Sequence, residues 1–222
     1  MKICAIIPAF NEASAIGDVV KGVKRFGVDA IVVDDGSSDE THIVAGRAGA
    51  HVIRNRRRNG KGLSLKIGLD YALDSGYELF FTMDGDGQHD PEDIPCFMGK
   101  IKKLGCSVVI GNRMSQPKGM PFIRVITNRF MSFLISVLSR QRVLDTQCGY
   151  RLFTREAISG MEIRSHKFEI ESEMLIKIAR KGFRIDSVPV KSIYADETSK
   201  IRPVRDTFRF VRFIITHMIA RK

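Results

Sequence analysis

The stretch FFTMDGDGQHDPEDI, Phe80 to Ile94, passes from an apolar run through alternating acids and glycines into a helix start. Leu79 to Met83 carries no charge and has the length of a strand buried on both faces. Asp90, Pro91, Glu92 and Asp93 then supply a capping acid, a proline at the first helical position and acids in the first turn, where they complement the helix dipole. The unit reads strand, loop, helix. Five acids lie in the ten residues from Asp84 to Asp93, at the carboxyl end of that strand, in a chain of net charge +11.

The same unit recurs on either side. Strands are expected at Ile3 to Ile7, Ala30 to Val33, His51 to Arg54 and Ser107 to Ile110, and helices at about Ser14 to Arg25, Ser38 to Ala48, Leu63 to Leu73 and Pro91 to Leu104. This alternation predicts an α/β fold: a mostly parallel sheet flanked by helices, with ligands beyond the carboxyl ends of its strands. The chemistry is thus expected at Pro8 to Glu12, Asp34 to Asp39, Asp84 to Gln88 and Gly111 to Arg113. Past Gly111 the pattern changes. Phe122 to Arg140 is helical in periodicity, with eleven large apolar residues, three arginines and no acid. Helices also fit Glu169 to Arg180 and Pro203 to Ile219, with extended pieces at Tyr150 to Phe153 and Phe183 to Val190.

With 222 residues, 44% of them hydrophobic, the chain suits one well-buried core. Cys4, Cys96, Cys106 and Cys148 show no metal-ligand spacing, which suggests a reducing compartment and no structural zinc. MKICAIIPAFNE lacks a signal-peptide pattern, and no charge-free window of eighteen apolar residues occurs, so no bilayer span is expected. A pI near 9.7 points to an anionic partner. From Lys200 to Lys222, seven Lys/Arg and one acid accompany Phe208, Val211, Ile215 and Met218. A basic helix with an apolar stripe fits a membrane surface better than a nucleic-acid groove; packing on the domain or against a second copy would give the same stripe.

Alternate carboxylates such as Asp84 and Asp86 can grip one hard divalent cation that bridges two phosphates, while Gly85 and Gly87 leave the backbone free to bend. A solvated acidic turn has the same composition. Asp34 and Asp35 are placed to accept from a base N–H or a ribose hydroxyl. Lys61 fails as a Walker lysine because Gly62 stands where Ser or Thr is required. Arg113 could clamp a phosphate through two parallel hydrogen bonds. Arg124 and Asn128 fall one turn apart on the same side of their helix, opposite a broad apolar face.

Taken in order, IIPAFNE, VVDDGSSD, RNGKGLSLKIGLDYA, TMDGDGQHDPEDI, GNR, DTQCGYRLF, FEIESEML and ETSKIRP resemble the family 2 glycosyltransferases of GT-A fold, in the branch of dolichyl-phosphate mannose synthases and other polyprenyl-phosphate glycosyltransferases. The resemblance implies that Pro8, Ala9, Glu12 and Asp35 contact the nucleoside, and that Lys61 lies near the nucleotide. It also implies that Asp84, Asp86 and Gln88 hold Mg²⁺ or Mn²⁺ with the donor diphosphate, and that Arg113, Arg124 and Asn128 serve phosphate. The expected reaction is inverting transfer of a sugar from a GDP- or UDP-linked donor to a polyprenyl or dolichyl phosphate. The enzyme would be cytoplasmic and peripheral at the inner membrane face, with a separate membrane protein as a possible helper and no nucleic-acid partner. Residues 1–200 would form the catalytic domain and 201–222 the basic amphipathic helix. A phosphate acceptor needs no strong base; a hydroxyl acceptor would, and Asp145 is then the candidate. Among Glu169, Glu171 and Glu173 the sequence does not single out a member facing the site. Where mannose synthases carry DRxYGESKL, this chain reads KSIYADETSKIRP, with Ser192 for the arginine and altered spacing to Ser199 and Lys200. Lys200 or Arg202 could supply the missing charge, and the donor sugar stays open.

A sugar nucleotidyltransferase would share the sheet and the metal, but would place a glycine-rich loop with Arg and Lys where PAFNE stands. A non-catalytic membrane-surface protein would need neither Asp84 nor Asp86.

Overall fold

In the computed structural model, which describes residues 1–115, 117, 119–163 and 169–191, seven strands form one sheet. They are β1 (Ile3–Ala9), β2 (Asp29–Asp34), β3 (His51–Arg54), β4 (Leu79–Thr82), β5 (Val108–Asn112), β6 (Arg151–Thr154) and β7 (Ile185–Pro189). Their order is β3-β2-β1-β4-β6-β5-β7. Every pairing is parallel except those of β6, which runs antiparallel to both β4 and β5. The helices are α1 (Ile16–Arg25), α2 (Thr41–Arg47), α3 (Lys61–Asp74), α4 (Ile94–Leu104), α5 (Phe122–Ser139), α6 (Arg155–Ile158) and α7 (Glu169–Arg180). The expected mostly parallel sheet flanked by helices is what the chain forms.

The differences are local and have causes. α1 begins at Ile16 rather than Ser14 because residues 13–15 form a turn: the Glu12 carbonyl accepts from Ala15 and Ile16 N–H, and the Asp39 carboxylate accepts from Ala13 N–H. Asp90 caps as expected, its Oδ1 accepting from Glu92 N–H at 3.0 Å, but the first turn, Pro91–Asp93, is a tight 3₁₀ turn before α4. The extended piece after residue 150 proves to be an inserted strand: β6 separates β4 from β5, and its first residue, Arg151, pairs in register with Thr82 and Ile110.

β1, β2 and β4 are almost wholly buried, so their apolar runs need no polar face. α3 lies close over β1 and β2 because Gly68 has no side chain: a Cβ there would come within 2.4 Å of Ile6 Cγ2 and 3.2 Å of Val33 Cγ2. That close approach also sets where the amino end of α3, and therefore Lys61, stands relative to the strand ends.

α5 packs Asn128, Met131, Ser132, Ile135, Leu138 and Ser139 inward and lies against α7. By length and composition it is the one helix among the described residues able to cross a membrane, yet 33% of it is buried in the domain. The proposed 201–222 helix, with Lys200, Arg202, Ser192 and Ser199, lies outside the described residues.

Candidate active site at the carboxyl ends of the strands

Parallel pairing of β1 with β2 and β4, and the two antiparallel pairings of β6 with β4 and β5, bring the ends of β1, β2, β4 and β5 to one edge of the sheet. Pro8 pairs with Val33 and Ala9 with Asp34, so the PAFNE and DDGSSD loops start side by side. Asn11 ties them: its N–H donates to Ser37 Oγ and its Oδ1 accepts from Ser38 N–H, both at 2.9 Å. Asn11 sits at φ 56°, a left-handed conformation that asparagine tolerates better than most residues. Glu12 N–H donates to Thr41 Oγ1. Gly36, at φ +73°, is required twice over, since a Cβ would also meet the Arg57 carbonyl carbon at 2.8 Å.

Asp34 and Asp35, expected to accept from a base N–H or a ribose hydroxyl, both have partners within the protein. Asp34 is fully buried; its Oδ1 accepts from Ser37 N–H and its Oδ2 faces Arg54 Nε at 3.2 Å. Asp35, 3% exposed, accepts from Asn55 Nδ2, Asn59 N–H and Gly60 N–H at 2.7–2.9 Å. Its carboxylate is the internal anchor of residues 55–60, and so aims the start of α3.

That start carries Lys61. Its ammonium lies 2.6 Å from Asp84 Oδ1 and 3.0 Å from Glu171 Oε1. Burial works to lower the lysine pKa, but the two carboxylates outweigh it and raise the value. Burial likewise works to raise Asp84, and Lys61, then His89, bring it down to about 2. His89 is held neutral, lowered to about 4 chiefly by burial, with its Nδ1 accepting from Asp84 N–H at 3.0 Å. Asp86 Oδ1 accepts from Gln88 N–H, which curls the DGDGQ loop back on itself. Gly149 faces this cluster: a Cβ there would sit 3.1 Å from Lys61 Nζ and 3.3 Å from both Asp84 carboxylate oxygens.

Arg113 follows β5, and Asp145 holds its guanidinium with two parallel hydrogen bonds, Nε to Oδ2 at 2.8 Å and Nη2 to Oδ1 at 3.0 Å. Asp145 also accepts from Arg113 N–H, Asn128 Nδ2 and Gln147 N–H. With no exposure and five donors, it is kept below the ordinary value of 3.8: burial opposes ionisation, but Arg113 and Asn128 prevail. Both oxygens of Asp145 are thus engaged within the protein, and Asn128, 4% exposed, donates to Asp145 Oδ1 and accepts from Ser132 Oγ. Arg124 lies one turn earlier on α5, half-buried, outside this bonded network.

Of the three α7 glutamates, Glu171 is the one joined to this site, and Glu173 is buried against Lys177. Glu171 also meets Arg151, which sequence reasoning missed. Arg151 is 1% exposed and donates to the carbonyls of Cys148, Thr146 and Glu171 at 2.7–2.8 Å, with Glu171 Oε2 at 3.4 Å. It joins the Asp145 loop to the Lys61–Asp84 cluster. A lone arginine inside the apolar run CGYRLF was the available signal, since a charge in a buried strand requires partners.

The model of the family "Glycosyl transferase family 2" matches residues 4–161. Among curated relatives, a UDP-N-acetylglucosamine--dolichyl-phosphate N-acetylglucosaminyltransferase of Methanococcus voltae is 30% identical over 86% of this chain and 85% of its own length. An undecaprenyl-phosphate mannosyltransferase of Micrococcus luteus is 28% identical over 86% of this chain and 83% of its own. Among solved structures, glucosyl-3-phosphoglycerate synthase from Mycobacterium tuberculosis, in complex with Mn²⁺, UDP and phosphoglyceric acid, superposes with a TM-score of 0.73 at 20% identity, over 99% of this chain and 78% of that one.

Proposed function

Because this chain belongs to glycosyl transferase family 2 and is a glycosyltransferase, we propose that it moves a sugar, with inversion, from a nucleotide-diphosphate sugar onto a polyprenyl phosphate at the cytoplasmic face of a membrane. The observation that carries this reading is how the site's carboxylates are used. Asp145 is spent on Arg113, Glu171 on Lys61 and Arg151, and Asp34 and Asp35 on the loops they build. A sugar hydroxyl would need one of them free to take a proton. A phosphate monoester is already ionised at neutral pH, so positioning and charge suffice. Arg113, held flat by Asp145, is suited to that phosphate, and Arg124, half-buried on α5, would be the second cation for it.

The donor diphosphate would lie over the DGDGQ loop. Asp84 and Asp86 supply hard carboxylate oxygens of the kind Mg²⁺ or Mn²⁺ prefers, and Gln88 follows them on the same loop. Among the described residues no group of three or more His, Cys, Asp or Glu side chains gathers around one point, so the remaining ligands would come from the diphosphate. The cation would neutralise charge on the departing nucleotide. Pro8, Ala9 and Glu12 would line the nucleoside side, with Lys61 at the diphosphate and Lys200 and Arg202 near the sugar. The relative from Methanococcus voltae and the altered mannose-synthase motif favour a uridine donor.

A melting experiment with UDP or GDP, each with and without Mn²⁺, tests the reading. Saturation to one hundred times Kd stabilises by about 2.7 kcal/mol, roughly a 5–10 °C rise for a chain of this size. UDP is expected to give that rise in the presence of Mn²⁺. No shift with any nucleotide would overturn the donor site.

A further inference from the structure

We propose that Arg151 is a positioning residue that couples the donor site to the phosphate clamp: it reads the state of Lys61 through Glu171 and sets Asp145 through the backbone of Thr146 and Cys148. The inference rests on the proposed function. Arg151 lies on β6, the inserted strand, in register with Thr82 and Ile110. Its Nε donates to the Cys148 carbonyl and its Nη2 to the Thr146 carbonyl, both at 2.8 Å, and its Nη1 to the Glu171 carbonyl at 2.7 Å. Those three acceptors are neutral. A buried guanidinium is costly unless a carboxylate shares its charge. The carboxylate in contact is that of Glu171, whose Oε2 stands 3.4 Å from Arg151 Nη2 while its Oε1 is 3.0 Å from Lys61. An uncharged amide would staple the same carbonyls without that cost. A full charge left with the longer half of a shared carboxylate points to a second state, in which Glu171 turns to Arg151.

The run from Asp145 to Arg151 touches both halves of the site. At its start Asp145 grips Arg113 with two parallel hydrogen bonds and accepts from Gln147 N–H, while Thr146 N–H donates to Ser132 Oγ on α5. Further on, Gly149 stands against Lys61 and Asp84, where a Cβ would come within 3.1–3.3 Å. The Gly149 carbonyl accepts from Thr82 Oγ1, at the end of β4, at 2.7 Å. Arg151 folds back onto the middle of this run, so its guanidinium sets the separation of the Asp145 end from the Asp84 end. In the structure Asp84 and Glu171 hold Lys61. An anionic diphosphate over the DGDGQ loop draws Lys61 toward itself, and Glu171 then turns to Arg151 as its cationic partner. Closing the 3.4 Å gap to hydrogen-bond distance stiffens the Thr146 and Cys148 contacts, and with them Asp145 and Arg113. Donor binding thus strengthens the hold on an acceptor phosphate. By linkage, the acceptor phosphate strengthens the hold on the donor by the same factor.

Calorimetric titration of the full chain with UDP and, in parallel, GDP, each with Mn²⁺, provides the test when run with and without saturating farnesyl phosphate, a short polyprenyl phosphate. Farnesyl phosphate is expected to tighten nucleotide binding by at least about fivefold, the lower end of ordinary coupling between sites. Arg151→Lys keeps the charge, but one ammonium cannot span Thr146, Cys148 and Glu171 together. Glu171→Gln keeps the shape without the charge; at a side chain with 12% exposure, this isosteric change keeps the test open where Arg151→Lys does not fold. In both variants the tightening should fall below about twofold, and the double variant should lose nothing further. The readout is a ratio taken within each variant, so a general loss of stability or of nucleotide affinity leaves it unmoved. A wild type that binds nucleotide with Mn²⁺ yet tightens by less than about twofold overturns the inference alone. So does either folded variant that keeps the wild-type ratio. A wild type that binds neither nucleotide overturns the proposed function and this inference with it.

Discussion

Replacing Asp145 with asparagine distinguishes a buried clamp from a catalytic base. The carboxylate has no exposure and receives five hydrogen bonds, three of them from Arg113. An amide keeps the shape but turns an NH₂ toward donors and leaves the Arg113 guanidinium without its counter-charge. Removing one partner of a buried ion pair costs about 3–5 kcal/mol. Arg113 retains 20% side-chain exposure, so water relieves part of this and the lower end, about 3 kcal/mol, is expected. At about 2–4 °C per kcal/mol for this chain length, D145N should melt roughly 6–12 °C below wild type, and urea unfolding at neutral pH should give the matching free energy. The pH dependence follows from the sign of the shift. A carboxyl held below 3.8 in the fold contributes its full stability above that value and loses it as pH falls toward the folded pKa. The gap between wild type and D145N should therefore be widest near pH 7 and narrow below about pH 4. A loss under about 1 kcal/mol, or a gap that holds constant into acid, would refute the clamp. Unchanged stability with abolished transfer would restore Asp145 as a base.

Two further substitutions probe how the strand ends are held. Lys61→Met removes the cation now paired with Asp84 and Glu171, so Mn²⁺ binding followed by electron paramagnetic resonance should tighten by about tenfold, the effect of one charge at contact in a solvated site; equal or weaker binding contradicts the pairing. Gly68→Ala forces a methyl into Ile6 and should cost about 1–3 kcal/mol, whereas Gly99→Ala, on α4 with nothing within 4 Å, should be neutral or stabilise by up to about 1 kcal/mol. Equal melts for the two variants would mean that α3 does not sit closely on β1.

Much of this molecule was legible in its sequence because the signals are local. An uncharged run such as Leu79 to Thr82 can only be a strand covered on both faces. Asp90 and Pro91 start a helix wherever they stand, and repeating that unit yields a mostly parallel sheet with its loops at one edge. The residues at that edge, from PAFNE to DGDGQ, followed without knowledge of any contact. Tertiary structure alone decided what each charge does there, because a carboxylate's role depends on donors far away in sequence. Asp145 is thirty-two residues from Arg113, Lys61 meets Glu171 across the fold, and Asp35 is consumed by the backbone at Asn59 and Gly60. In composition alone each looked like an open acid at a strand end. Insertion of β6 between β4 and β5 was equally hidden, since periodicity reports that a segment is extended and not which neighbours it will pair with. That insertion buries Arg151 at the centre of the site, where only a three-dimensional arrangement of carbonyls and Glu171 can satisfy its charge.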